Sequence, residues 1–197
     1  MVKKIGIIDS GNSNVLSVLR AVEKHTDIQC LICKLPEQLT NVDKIIIPGV
    51  GSFPDGLRRL QQTGLDEALK EFALTGGPVL GICLGMQLLA SVGYEFNRCD
   101  GLGIIEGSVE KLNTQSVDGH KLVIPFVGWA EIQVHSSKHS ILTNDFNGKS
   151  FYFVHSYQFN TKKIVETIAT YKYGGYKIPA VIADQNLLGV QFHPEKS

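Results

Sequence analysis

A glycine stands two positions before and two positions after one cysteine in Gly81-Ile82-Cys83-Leu84-Gly85. Upstream lies an apolar run, Pro78–Ile82, suited to a buried strand. Downstream, Leu84–Ser91 reads as a helix. A strand that turns straight into a helix has no room for Cβ atoms beside the turn, and glycine is the residue that fits there. The spacing is the cysteine form of a nucleophile elbow. Such a turn lifts the Cys83 sulfur clear of the sheet and sets it at the start of a helix, where the dipole favours a thiolate. The next N–H, of Leu84, is then placed to donate to a developing oxyanion. A lone cysteine in an apolar run is usually a core thiol. The paired glycines and the strand-to-helix switch favour the nucleophile here.

The rest of the first hundred residues alternates in the same way. Lys4–Asp9, Ile28–Lys34 and Lys44–Ile47 read as strands. Ser10–Asn14 is turn chemistry, and Val15, Leu16, Val18, Leu19 and Val22 mark an apolar helix face. Pro48–Pro54 reads as a loop, followed by helices at Gly56–Gln62 and Leu65–Leu74. The second half is rich in strands: Gly103–Leu112, Lys121–Ile124, Ala130–His135, Ser150–Ser156, Glu166–Tyr173, Ile178–Ala183 and Leu187–Phe192. The expected fold is α/β, an open, largely parallel twisted sheet with flanking helices and a strand-rich C-terminal half. At 197 residues the chain reads as one domain, 1–197.

Charge and cysteine usage narrow the class. Lys plus Arg and Asp plus Glu are equal at 19 each, so no basic surface for coating nucleic acid is expected. Phe72 to Tyr94 carries no charge and is long enough to span a bilayer. Its Gly76-Gly77-Pro78 punctuation divides it into a helix end, a strand and a new helix, so no membrane span is expected. No signal-peptide pattern opens the chain, and the four cysteines suit a reducing cytoplasm. Cys30 and Cys33 fall on a strand, where residues three apart face opposite ways. No metal site and no cofactor are expected.

A thiol nucleophile needs a base. Of the six histidines, His193 stands just past the last strand in Gly189-Val-Gln-Phe-His-Pro-Glu195. Glu195 is close enough in sequence to reach the imidazole and hold its tautomer, as in a catalytic triad. Cys83 and His193 both fall at carboxyl ends of strands, where open α/β sheets gather their active groups. His25 reads as a solvated helix residue, and His135 and His139 flank a Ser/Lys loop with no evident partner. Pro48-Gly49-Val50-Gly51-Ser52 could turn a backbone N–H towards substrate, or could be an ordinary strand-to-helix loop.

Taken together, GICLGMQLL, PGVGSF and GVQFHPEKS resemble the triad-type, class I glutamine amidotransferases. The finer resemblance is to the HisH family, the glutaminase subunits of imidazole glycerol phosphate synthase in histidine biosynthesis. Asp9–Asn14, Gly101–Gly103, Gly128-Trp129, Phe151–Tyr157 and Ala169-Thr170 follow in the family's order. The resemblance implies that Cys83 attacks the side-chain amide of L-glutamine, with His193 as base and Glu195 orienting it. It implies oxyanion N–H groups from Leu84 and from Val50 or Gly51. It places Gly49, Gln87, Glu95, His155, Ser156 and Tyr157 around the glutamine, and Trp129 and Lys196 towards a partner. That partner would be a separate (β/α)8-barrel cyclase forming a heterodimer with this chain and receiving its ammonia.

The sequence also departs from the family. Ser10 stands where Tyr is usual, Pro125-Phe126-Val127 where Pro-His-Met is usual, and Ala130 where Asn is usual. The family generally continues beyond the HPEKS motif, which here runs to Ser197. These changes cluster where the partner would dock. They raise an alternative: a paralogous glutaminase supplying ammonia to a surface-sugar amidination pathway.

Overall fold

A computed structural model describes residues 3–11, 14–135, 143–163 and 166–197. The elements in chain order are β1 (Lys4–Ile8), α1 (Val15–His25), β2 (Gln29–Cys33), β3 (Lys44–Gly49), α2 (Phe53–Thr63), α3 (Leu65–Leu74), β4 (Val79–Cys83), α4 (Leu84–Leu88), β5 (Ala90–Gly93), β6 (Cys99–Asp100), β7 (Ile105–Lys111), β8 (Phe126–Val134), β9 (Ser150–His155), β10 (Tyr157–Thr161), β11 (Thr167–Tyr173), β12 (Tyr176–Asp184) and β13 (Leu187–Val190). Asn12, Ser13 and His139, singled out above, lie outside the described residues.

A nine-stranded sheet runs β2-β1-β3-β4-β13-β12-β11-β8-β9. The half from β2 to β13 is parallel, and the half from β12 to β9 is antiparallel. The α/β expectation with a strand-rich second half therefore holds. The sheet is mixed because the later strands extend the parallel sheet instead of forming a separate layer. Successive strand residues face opposite sides. Ile8, Ile45 and Ile47 pack with Phe53, Leu57 and Leu69 on one face, while Ile7 and Ile46 pack with Val15, Val18 and Tyr171 on the other. Cys33 is buried in the first cluster and Cys30 packs against the second. Thiols on opposite faces cannot grip one ion.

Several local expectations change. Leu16 is 61% exposed, because Val15, Val18, Leu19 and Val22 already define the buried stripe and Leu16 points about 100° away from it. The helix after Cys83 ends at Leu88, and Ala90–Gly93 pairs with β7 instead. With β6 and β10 these strands build a second sheet, β10-β7-β5-β6, which was not anticipated. Lys121–Ile124 forms no strand; only Lys121 makes a bridge, to Gln115. β3 runs on through Pro48 and Gly49 to pair with Ile82 and Cys83, shortening the expected loop. Among the described residues no helix is long and apolar enough to cross a membrane.

Candidate active site

β4 lies between β3 and β13, near the middle of the sheet, and delivers Cys83 at its carboxyl end. Cys83 has φ 53° and ψ −108°, a conformation costing a non-glycine residue about 1–3 kcal/mol. The glycines are enforced by contact. A Cβ on Gly85 would stand 1.8 Å from the Ile47 carbonyl oxygen, and one on Gly81 would stand 2.6 Å from that of Gly85. Gly49 serves the same turn: its Cβ would meet that of Leu84 at 2.9 Å. The helix beyond the elbow is only Leu84–Leu88, so a full-length dipole is not available and nearby charges carry more of the electrostatics.

β13 leads into His193 beside the elbow. The His193 N–H donates to the Tyr152 carbonyl at 2.9 Å, and a 3-10 turn over Pro194–Lys196 brings Glu195 back under the ring. His193 Nδ1–H donates to Glu195 Oε1 at 2.8 Å, with the two side chains only 4% and 1% exposed. Burial opposes the imidazolium, but the Cys83 and Glu195 side chains outweigh it and raise its pKa to about 9. Burial likewise opposes the Glu195 carboxylate; the hydrogen bond from His193, one from its own backbone N–H, the His193 charge and, least, the bond from Asn14 outweigh it, so its pKa is lowered. With Nδ1 committed to Glu195, Nε2 is the nitrogen left for proton exchange with Cys83.

Val50, Gly51, Cys83, Leu84, Gln87, Glu95, His155, Ser156, Tyr157 and His193 line one cavity of about 350 Å³. Glu195 stands behind His193, and Gly49 beneath the elbow; neither lines the cavity. Gly51 has φ 99°, which lets the loop after β3 present its peptide groups in a way most residues could not. Glu95 Oε2 accepts the Phe53 N–H at 2.6 Å, closing the start of α2 while facing the cavity.

His155-Ser156-Tyr157 lies where the chain passes from β9 of the large sheet to β10 of the small one. Both nitrogens of His155 are taken. Nδ1 faces the Tyr157 carbonyl at 2.8 Å and must donate, so Nε2 accepts from the Tyr171 hydroxyl at 2.7 Å. Burial lowers its pKa to about 4, and it stays neutral.

Sequence reasoning missed Gln191, Asn14 and Tyr171. Fully buried Gln191 points Nε2 at the Cys83 sulfur, 3.7 Å away, and its Oε1 accepts from Gln87 Nε2 at 3.1 Å. Gln191 lay inside GVQFHPE, two residues before His193, and that placement was the available signal. His135, for which no partner was evident, is 2.6 Å from the Thr170 hydroxyl, while His25 is exposed as expected.

The family model described as "Glutamine amidotransferase class-I" matches residues 6–197. The chain belongs to the class I glutamine amidotransferases. Among similar proteins, the "Imidazole glycerol phosphate synthase subunit HisH 1" of Legionella pneumophila (strain Lens) is 41% identical, over 98% of this chain and 92% of that one. The "Imidazole glycerol phosphate synthase subunit HisH" of Bacillus subtilis (strain 168) is 38% identical, over 98% and 89%. Among solved structures, PurLQS from Thermotoga maritima is 18% identical with a TM-score of 0.74, covering 99% of this chain and 89% of that one; this likeness shows the fold.

In this amidotransferase the outer face of β8 and β9 carries Val127 and Trp129, 56% and 58% exposed. Trp129 and Tyr152 pair across the strands with ring centroids 6.0 Å apart, and Lys196 Nζ lies 5.5 Å from the Tyr152 ring centre. Two residue pairs along, Val154 faces Val127, lines the cavity and offers its carbonyl 3.9 Å from the Cys83 sulfur.

Proposed function

We propose that the chain is the glutamine-hydrolysing subunit of an imidazole glycerol phosphate synthase, working in the cytoplasm as one half of a heterodimer. The observation that carries this reading is the Cys83–His193–Glu195 arrangement at an elbow of the amidotransferase fold, joined to about 40% identity with HisH subunits over nearly the whole chain.

Cys83 Sγ attacks the side-chain amide carbon of glutamine. Charge develops on the amide oxygen and is met by the Leu84 N–H and an N–H of Val50 or Gly51. His193, with its pKa raised to about 9, already holds the second proton at neutral pH and passes it from Nε2 to the departing ammonia, giving a thioester on Cys83. Water, deprotonated by the same imidazole, attacks the thioester and releases glutamate. Glu195 keeps the Nδ1–H tautomer and balances the imidazolium. Glu95 suits the α-ammonium group of glutamine, and Gln87, Ser156 and Tyr157 close the cavity around its other end. No cofactor is required by these steps. Gly49 serves the elbow and His155 the cavity wall.

Ammonia must reach its acceptor unprotonated, so the synthase has to dock over the cavity. The Val127–Trp129–Tyr152 face with Lys196 supports docking there, because Val154 belongs to both that face and the cavity. The partner is a (β/α)8-barrel cyclase that uses the ammonia to make imidazole glycerol phosphate and the aminoimidazole carboxamide ribonucleotide.

Glutamate release by the purified chain, alone and with a histidine-pathway cyclase plus its ribonucleotide ligand, tests this. Strong stimulation that is lost in Cys83→Ala is the expected result. A chain whose Cys83 reacts with a glutamine analogue but which no such cyclase stimulates would belong instead with a surface-sugar synthase.

A further inference from the structure

Asn14 occupies the N-cap position of α1, where an Asn side chain ordinarily accepts a hydrogen bond from the first helical N–H groups. It makes no such bond. Its Nδ2 donates instead to Glu195 Oε1 at 3.1 Å, across 181 positions of sequence. That oxygen also receives His193 Nδ1–H at 2.8 Å. An ionised carboxylate only accepts, so the amide atom facing it has to be the N–H. Glu195 Oε2 is buried and has no hydrogen-bond partner among the described residues. Together with a bond from Glu195's own backbone N–H, the two side-chain donors on Oε1 fix the carboxylate's rotation. Helix α1 gives up a cap worth having, and the triad gains a tether.

We propose that Asn14 is a positioning residue for glutamine hydrolysis, holding the Glu195 carboxylate so that the oxygen facing His193 stays in place as the imidazole gains and loses its proton. This role rests on the hydrolytic reading above. The side-chain type suits the task. An amide donates without charge, so it orients Glu195 and leaves its negative charge for the imidazolium. Lys or Arg at this position would pair with the carboxylate and cancel that charge. Ser would suit the helix cap and stop short of Glu195.

The test is the labelling of Cys83 by a diazo-ketone analogue of glutamine, followed by intact mass across a pH series. The full chain is used as wild type, Asn14→Ala, Asn14→Ser and, as a control, Cys83→Ala. Losing one hydrogen bond to a charged group should slow the limiting labelling rate about tenfold. The analogue concentration giving half that rate should change less than about twofold, because Asn14 does not line the cavity. The acid side of the pH profile should move up in both variants, since a carboxylate without its Asn donor takes a proton at higher pH. Asn14→Ser separates this role from a helix-capping one: it should melt at or above the wild-type temperature and still label slowly. Wild-type rate and pH profile in both Asn14 variants would overturn the role, as would slowing only in step with a lost folded fraction. Wild type that does not label at Cys83 would sink the hydrolytic reading and this role with it.

Discussion

His193 and His155 line the same cavity, yet they hold their protons oppositely: His193 has a pKa of about 9 and His155 of about 4. For His193 the decisive neighbours are the Cys83 and Glu195 side chains, which overcome the effect of burial. His155 is buried between a carbonyl that takes its N–H and a hydroxyl that donates to its other nitrogen. Across the neutral range the site therefore contains one imidazole for proton transfer and one that serves only as structure.

The first consequence is acid sensitivity. His155 has an ordinary pKa near 6.5 when unfolded and about 4 when folded. The stability it contributes is complete above pH 6.5 and lost as pH falls towards 4, roughly 3 kcal/mol in all. Urea unfolding at pH 7 and at pH 5 should show the start of this loss in wild type and much less of it in His155→Gln. An equal loss in both proteins would contradict it.

His193 has the opposite sign. Its folded pKa is raised, so its contribution is complete below pH 6.5 and disappears as pH rises through about 9. Wild type should lose stability between pH 7 and pH 9.5 relative to His193→Gln, as followed by thermal unfolding. A difference that stays flat over that range would refute the assignment.

At the elbow, activity and stability should pull apart. Cys83→Ala should lower glutamine hydrolysis by about 10³-fold or more while the chain still folds. Cys83→Gly should be just as inactive but more stable than Cys83→Ala by about 1 kcal/mol, because glycine adopts φ 53° without strain. Denaturant midpoints of the two variants settle the order.

Two other glycines give a contrast in steric cost. Gly85→Ala drives a methyl into the Ile47 carbonyl and should leave little soluble protein. Gly103 has φ 67° with open space around it, so Gly103→Ala should cost about 1 kcal/mol and fold normally. Expression and melting temperature distinguish them.

Exposed Trp129 should matter to docking alone. Trp129→Ala is expected to leave the melting temperature of the isolated chain within about 2 °C. It should weaken binding to the cyclase about 30-fold, as read by titration calorimetry, the scale of an aromatic anchor at an interface centre.

Much of the site was legible because its chemistry is local in sequence. An elbow needs glycines at fixed distances from Cys83, and a turn of two residues joins His193 to Glu195. Asn14 and Gln191 left little trace, because each acts on a residue far along the chain; Gln191 meets Gln87 across 104 positions, and Tyr171 reaches His155 from a different strand. In the fold, buried parallel strands announced themselves as apolar runs. β5 did not: Ala90-Ser-Val-Gly93 is a strand because β7 and β6 flank it, and its own residues barely favour one. The same tertiary pairing ended the helix at Leu88.

β9 has a consequence for how news of a bound partner could reach the thiol. The Tyr152 carbonyl holds the backbone of His193, and the Val154 carbonyl faces the Cys83 sulfur. Tyr152 and Val154 are also the residues of β9 that pair with Trp129 and Val127 on the outer face. A synthase pressing on that face would press on the two residues whose carbonyls seat the base and the nucleophile. Signalling between the subunits then requires no relay through the domain, only a shift of one three-residue stretch of backbone.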